Sequence, residues 1–166
     1  MAEKQFITFY LDDDYLGVDI RLVREVYRQL NITPVALAPE FVRGLLNLRG
    51  QIITILDLGV RLGLGPRRID RRSCCVILKS SLEMERKGTL YDIGDSTSPD
   101  QVGLLVDAIG DVVTVEETEV EPPPAHAGRL ASAFLSGVVK LQNVLLIVLK
   151  ASEIVGEKET ASKATA

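Results

Sequence analysis

The hydrophobic positions of this chain fall mostly in short runs of strand length. Residues 6–11 and 15–20 flank Asp12-Asp13-Asp14 and predict a hairpin with a polar turn. Runs at 51–58, 74–78, 102–106 and 144–149 are rich in Ile, Leu and Val and predict further strands. Helical spacing is scarcer. Ile20, Val23, Val26 and Tyr27 fit barely two turns, and residues 40–46 follow Pro39, a residue suited to a first helical turn. Many short strands separated by turn signals predict a mainly β fold, a barrel or a sandwich.

An internal repeat sharpens that reading. Phe41-Val-Arg-Gly-Leu-Leu-Asn-Leu-Arg-Gly-Gln-Ile-Ile-Thr-Ile-Leu56 aligns without gaps onto Phe134-Leu-Ser-Gly-Val-Val-Lys-Leu-Gln-Asn-Val-Leu-Leu-Ile-Val-Leu149. Upstream, Gly17-Val-Asp-Ile-Arg-Leu-Val-Arg-Glu-Val26 aligns onto Gly103-Leu-Leu-Val-Asp-Ala-Ile-Gly-Asp-Val112, and the cysteine strand answers the strand around Phe6. The chain therefore reads as one domain over residues 5–155 made of two related β units, 5–66 and 73–151. Whether each closes on its own strands or exchanges some with its partner is left open by the pattern. Outside the repeat lie a basic segment at 67–72, read as a solvated linker, a long inserted loop at 80–101 and a flexible tail at 156–166.

Composition removes several functions. The 166 residues are 46% hydrophobic and carry a net charge of −4, ordinary for a globular chain and unsuited to general nucleic-acid binding. A chain of this length buries roughly 70% of its unfolded surface, enough to fold without metal or disulfide. No apolar run reaches the roughly 20 residues needed to span a bilayer, and the polar start predicts no signal peptide. Adjacent Cys74 and Cys75 on one strand point to opposite faces, so they read as reduced, half-buried small hydrophobes of a reducing compartment. With one histidine, His126, and no zinc-type spacing, no metal or cofactor is expected. Asp12-Asp13-Asp14 lacks the ligand spacing of a calcium loop, and Gly63-Leu-Gly65-Pro66 is not a phosphate loop. No nucleophile, base and oxyanion site assemble, so the chain does not read as an enzyme.

The repeat also acts as an internal control. Phe41/Phe134, Gly44/Gly137 and Leu48/Leu141 are shared and so belong to folding: core packing, and a backbone that demands glycine. The turn differs. Asn47-Leu48-Arg49-Gly50 stands against Lys140-Leu141-Gln142-Asn143, and Gly50 and Asn143 both suit a turn with positive φ. Arg49 is not required by the fold, since Gln142 replaces it. It presents a permanently charged fork at a turn, with Glu25 as a plausible partner if the unit closes as a barrel. A solvated surface arginine is the simpler reading by composition; a pair that positions a binding surface is the functional one.

Residues 41–58 resemble the signature of the CheW family, the coupling proteins of bacterial chemotaxis arrays. Residues 6–26, the stretch Val102-Gly-Leu-Leu-Val-Asp-Ala-Ile-Gly-Asp-Val112 and residues 134–155 extend the resemblance almost end to end. It implies two SH3-like five-stranded β-barrels with short connecting helices, a groove between the barrels and a C-terminal helix. It implies a cytoplasmic, non-catalytic adaptor joining methyl-accepting chemotaxis receptors to the regulatory domain of the histidine kinase CheA, with contacts to other CheW-like domains left open. By resemblance Arg49 and Glu25 form the functionally sensitive pair, and Val23, Gly44, Asn47 and Ile52 surround the receptor-facing region. Thr54 departs from the proline common in relatives, and the loop at 80–101 has no clear match. The same adaptor in a pilus-, gliding- or phototaxis-type pathway, or a barrel binding a small ligand or oligonucleotide, are the rival readings. Neither nucleic acid nor direct membrane insertion is expected.

Overall fold

The computed structural model describes residues 2–86, 95–127 and 129–156, apart from the side chains of Arg86, His126 and Ala127. Strands β1 (Glu3–Leu11) and β2 (Asp14–Asp19) form the opening hairpin, with Asp12 at φ 54° in its turn. A 3-10 turn, Ile20–Leu22, leads into β3 (Val23–Tyr27). The hairpin β4 (Val42–Leu48) and β5 (Gln51–Asp57) follows, then the short helix α1 (Leu58–Arg61). Next come β6 (Cys74–Leu78), helix α2 (Ser81–Arg86), β7 (Val102–Val106) and β8 (Ala108–Glu116). The chain continues through β9 (Val120–Glu121), the small pair β10 (His126–Ala127) and β11 (Leu130–Ala131), then β12 (Leu135–Lys140) and β13 (Leu145–Leu149). The C-terminal helix is Ala151–Ile154.

The fold is mainly β, with a six-stranded sheet ordered β8-β1-β2-β13-β12-β9 and a five-stranded sheet ordered β3-β6-β7-β5-β4. Five strands per unit thus holds for one sheet, and the two-residue β9 makes a sixth in the other. The sheets do not follow the division into 5–66 and 73–151. Each repeat passes its opening strand pair to the other: β1–β2 join the second repeat's sheet, and β6–β7 join the first's. The exchange keeps the repeat symmetry. β2 runs parallel to β13 with Gly17 opposite Val148, and β7 runs parallel to β5 with Gly103 opposite Ile55, so aligned residues meet aligned partners.

Alternation of side chains across each strand builds three apolar layers. Leu46, Leu48, Ile53, Ile55, Cys75, Ile77 and Leu105, with Tyr27, cluster on one face of the five-stranded sheet. All five strands contribute, so the sheet is curled around this cluster as a small barrel. Phe6, Val115, Val139, Leu146 and Val148, with Tyr15 and Val120, do the same for the six-stranded sheet. The opposite faces of both sheets form the central cluster, which includes Phe9, Leu16, Val18, Leu56, Cys74, Val76, Leu104 and Leu149.

Several expectations are corrected. Residues 20–27 are not a two-turn helix, only the single 3-10 turn Ile20–Leu22 followed by strand, and residues 40–46 are not helical. A bulge between Val23 and Glu25 inserts one extra residue, so Val23 and Val26 reach the same central layer three positions apart and mimic helical spacing. Residues 42–48 are strand, again with a bulge, between Val42 and Gly44. Cys74 and Cys75 do face opposite layers, but both are fully buried, not half-buried, because β6 is an inner strand covered on both sides. Burial raises the Cys74 thiol and pushes Cys75 up to about 12.

Arg67 is no solvated linker residue. It is buried, its Nη1 lies 3.0 Å from Asp107 and 3.3 Å from Asp12, and its Nη2 donates to the Leu64 carbonyl. The Asp12-Asp13-Asp14 turn is correspondingly tied down, with Asp14 paired to Arg129 at 3.0 Å. The described ends of the inserted segment, 80–86 and 95–101, are docked on the body of the fold: Met84 of α2 is buried against Leu22 and Ala151. Asp95 accepts hydrogen bonds from the backbone of Ala151 and Ser152 at the start of the C-terminal helix. Residues 87–94, and the tail beyond Gly156, lie outside the described residues. Among the described residues, no helix is long and apolar enough to cross a membrane.

Candidate docking site at the first barrel seam

The turn between β4 and β5 is two residues long, closing from Leu48 opposite Gln51. Arg49 has φ 50° and Gly50 φ 86°, the left-handed pair that matches the natural twist of a hairpin. Asn47 Oδ1 accepts from Gly50 N at 3.0 Å and stabilises the turn. Glycine suits position 50, whereas a side chain at position 49 stands in a region few non-glycine residues occupy. The arginine there is mostly exposed, and its guanidinium pairs with Glu25.

That ion pair spans the barrel seam. Glu25 lies on β3 and Arg49 at the end of β4, the two edge strands of the five-stranded sheet. A second contact runs beside it, from Arg24 Nη1 to Gln51 Oε1 at 3.0 Å. Two neighbouring residues of a regular strand would point to opposite faces. Arg24 is the bulged residue between Val23 and Glu25, which is why both it and Glu25 reach the same turn.

Four of the predicted residues gather here: Arg49 at the tip, Glu25 across the seam, and Asn47 and Ile52 directly opposite one another on the hairpin. Asn47 and Ile52 are exposed, Ile52 with 56% of its surface open, a large apolar side chain offered to solvent beside the charges. The other two differ. Val23 is half-buried and packs against the central cluster. Gly44 is buried, with φ 152°, and a Cβ there would collide with the Thr33 carbonyl oxygen. It lies beneath the surface and shapes the hairpin without presenting a group.

Sequence reasoning missed three arrangements. Arg24 with Gln51 is one. Asp57 is another: fully buried, it accepts from Val60 N at 3.1 Å, Arg67 N at 2.8 Å and Arg43 Nη1 at 3.1 Å, welding the end of β5 to the segment after α1. The third is Arg61, whose guanidinium sits 4.6 Å from the Phe41 ring and 5.3 Å from the Phe134 ring. It also donates to the Ile154 and Glu153 carbonyls at 2.7 and 2.8 Å. The shared phenylalanines of the repeat were the available signal, since they meet at one cation that also anchors the C-terminal helix.

A cleft of about 870 Å³ opens elsewhere, beside Tyr10, Asp13, Arg68, Arg72 and Asp107. It contains none of the six predicted residues, and its walls carry charges of both signs. Among the described residues no group of three or more His, Cys, Asp or Glu could hold a metal ion.

The family model for the CheW-like domain matches residues 5–159. The chain is 27% identical to the chemotaxis protein CheW of Klebsiella aerogenes over 95% of its own length and 85% of that protein. It is 29% identical to the chemotaxis protein CheW of Treponema pallidum, covering 93% of this chain and 84% of that one. Its structure resembles the crystal structure of the scaffolding protein TtCheW from Thermoanaerobacter tengcongensis, with a TM-score of 0.73, 31% identity, and coverage of 90% and 86% of the two chains. Two curled sheets with exchanged strand pairs, the surface hairpin and these matches agree: the chain belongs to the CheW-like domain family of non-catalytic chemotaxis scaffolds.

Proposed function

We propose that this chain is a cytoplasmic adaptor that couples methyl-accepting chemotaxis receptors to the regulatory domain of CheA, and that the Arg49–Glu25 seam faces the receptor. The observation that carries the assignment of the site is the conformation of Arg49. A residue held at φ 50° costs of order 1 kcal/mol unless it is glycine. An exposed ion pair returns about 0–1 kcal/mol. Folding therefore gains little from an arginine at this position, and the sister turn has glutamine instead. A guanidinium kept at that cost is suited to reading a partner.

The chemistry fits a helical partner. An amphipathic helix lays apolar residues against Ile52, while the opposed charges of Glu25 and Arg49 fix its register. No reaction is involved. Because the hairpin is part of a curled sheet that shares one central core with the other, a shift of the bound helix moves a rigid body and not an isolated loop. Kinase contact belongs to other surfaces of the same body.

The test is co-sedimentation of the purified chain with receptor signalling fragments and the kinase, native protein against Arg49→Ala. The variant is expected to lose receptor association by at least about tenfold, the scale of an arginine at the centre of an interface, with unfolding within about 1 kcal/mol of native. Unfolding of the variant would make Arg49 a structural residue and remove the assignment.

A further inference from the structure

Arg24 carries an unmet demand at this same seam. One of its terminal nitrogens, Nη1, donates to the neutral amide oxygen of Gln51. Its Nε and Nη2 are shielded from solvent and have no acceptor. A guanidinium is a donor-only group with five N–H hydrogens in a fixed fork, so these hydrogens need an acceptor from elsewhere. Shielded donors without acceptors destabilise a fold, and a charged group is the most costly case. The bulge in β3 is what aims the side chain at the turn, beside the exposed Arg49 and Ile52.

We propose that Arg24 is a specificity-determining residue of this surface, which reads a carboxylate on the partner's helix. The inference rests on the receptor-facing reading given above and adds the chemical class of the group recognised. Of the three charged side chains at the seam, two are guanidiniums and only Glu25 is acidic, and Glu25 is already engaged by Arg49. The local surplus is positive, which selects an acidic partner group. On docking, Arg24 leaves Gln51 and turns its free edge to the arriving carboxylate. A weak bond to a neutral amide is thereby exchanged for a charge-assisted, two-pronged one. Gln51 is exposed and returns to water at little cost.

The decisive experiment titrates the full chain with a soluble receptor signalling fragment and measures melting in parallel. Arg24→Met is expected to weaken binding about tenfold, equivalent to one good charged contact, while its melting temperature stays equal to native or rises, because two shielded nitrogens and their three N–H donors are gone. Arg24→Glu is expected to bind more weakly still, and a Glu→Lys or Asp→Lys change on the fragment's helix to restore it. Native binding by Arg24→Met would overturn the proposal and leave the receptor-facing reading standing. A matching loss of binding and melting temperature in both Arg24→Met and Gln51→Ala would make the residue a barrel latch only. Failure of every charge reversal on the fragment to rescue Arg24→Glu would exclude a carboxylate as the group read. Absence of binding by the native chain would instead sink the receptor-facing reading, and this inference with it.

Discussion

The hairpins β4–β5 and β12–β13 are the same object built twice, and their differences are informative because so much else is held constant. In both, a phenylalanine carbonyl accepts from the residue that ends the hairpin: Asp57 N to Phe41 O at 2.7 Å, Lys150 N to Phe134 O at 2.8 Å. In both, a glycine lies under a crossing segment, Gly44 under Thr33 and Gly137 under Glu121. Both hairpins carry an exposed apolar residue at the equivalent place, Ile52 and Leu145. The turns part company. Arg49 and Gly50 take positive φ, whereas Asn143, expected to do the same, does not; the second hairpin closes through Leu141 N to Val144 O without a left-handed residue. The features common to both copies serve folding. The one that departs, into a left-handed conformation at Arg49, is the one on which the proposed receptor-facing role rests.

The largest effect is expected at the buried glycines. Gly44→Ala combines a clash with the Thr33 carbonyl and a left-handed φ and should cost at least about 3 kcal/mol, read by denaturant unfolding. Gly137→Ala, whose added Cβ would lie 2.9 Å from the Glu121 carbonyl oxygen at an ordinary φ, should cost about 1–2 kcal/mol. Equal losses would erase the distinction between the two hairpins.

Alkaline pH should separate the two barrels next. The ordinary thiol value is 9.0, and burial pushes Cys75 up to about 12, so the folded chain keeps a proton that the unfolded chain releases. This contribution to stability is complete below pH 9.0 and is lost as pH rises between 9.0 and about 12. Near pH 10 it should lower stability by about 1 kcal/mol relative to a Cys75→Val variant measured alongside. The cluster inside the six-stranded sheet contains no thiol, so hydrogen exchange should accelerate first in β4–β7. Uniform acceleration in both sheets would contradict this.

The smallest shift concerns the turn itself. Arg49→Gly relieves the φ 50° conformation while losing a weak ion pair, so stability should change by about 0 to +1 kcal/mol while receptor association falls. Gln142→Gly, with no left-handed residue to relieve, should instead lose about 0.5–1 kcal/mol. A clear loss of stability in Arg49→Gly would mean that the ion pair holds the seam closed.

Local pattern carries a good deal of this molecule. Alternating apolar residues, the doubled hairpin motif and the opposite facing of Cys74 and Cys75 are all properties of short stretches of chain, set by the pleat of a strand and by turn chemistry. The oddity of Arg49 is likewise visible by aligning the chain with itself. What escaped are features produced by partners distant in sequence. The bulges at Arg24 and in β4 break the period of two and imitate a helix, and nothing nearby announces them. Arg67 reads as part of a basic run, yet Asp12 from the β1–β2 turn and Asp107 from the β7–β8 junction draw it inside. Met84 and Asp95 anchor the described ends of a stretch whose sequence lacks any periodicity of its own.

The composition and periodicity of the chain alone were sufficient for strands, for the doubled hairpin and for an exposed arginine at one turn that its sister turn lacks, because each depends on neighbours a few residues away. The assignment of strand pairs to sheets was not contained in that pattern. β1–β2 could pair at home or abroad with the same alternation, and the choice rests on which buried faces fit once the two sheets are assembled. The same holds for the seam, where Glu25 meets Arg49 and Arg24 meets Gln51 only because curling the sheet brings its two edges together.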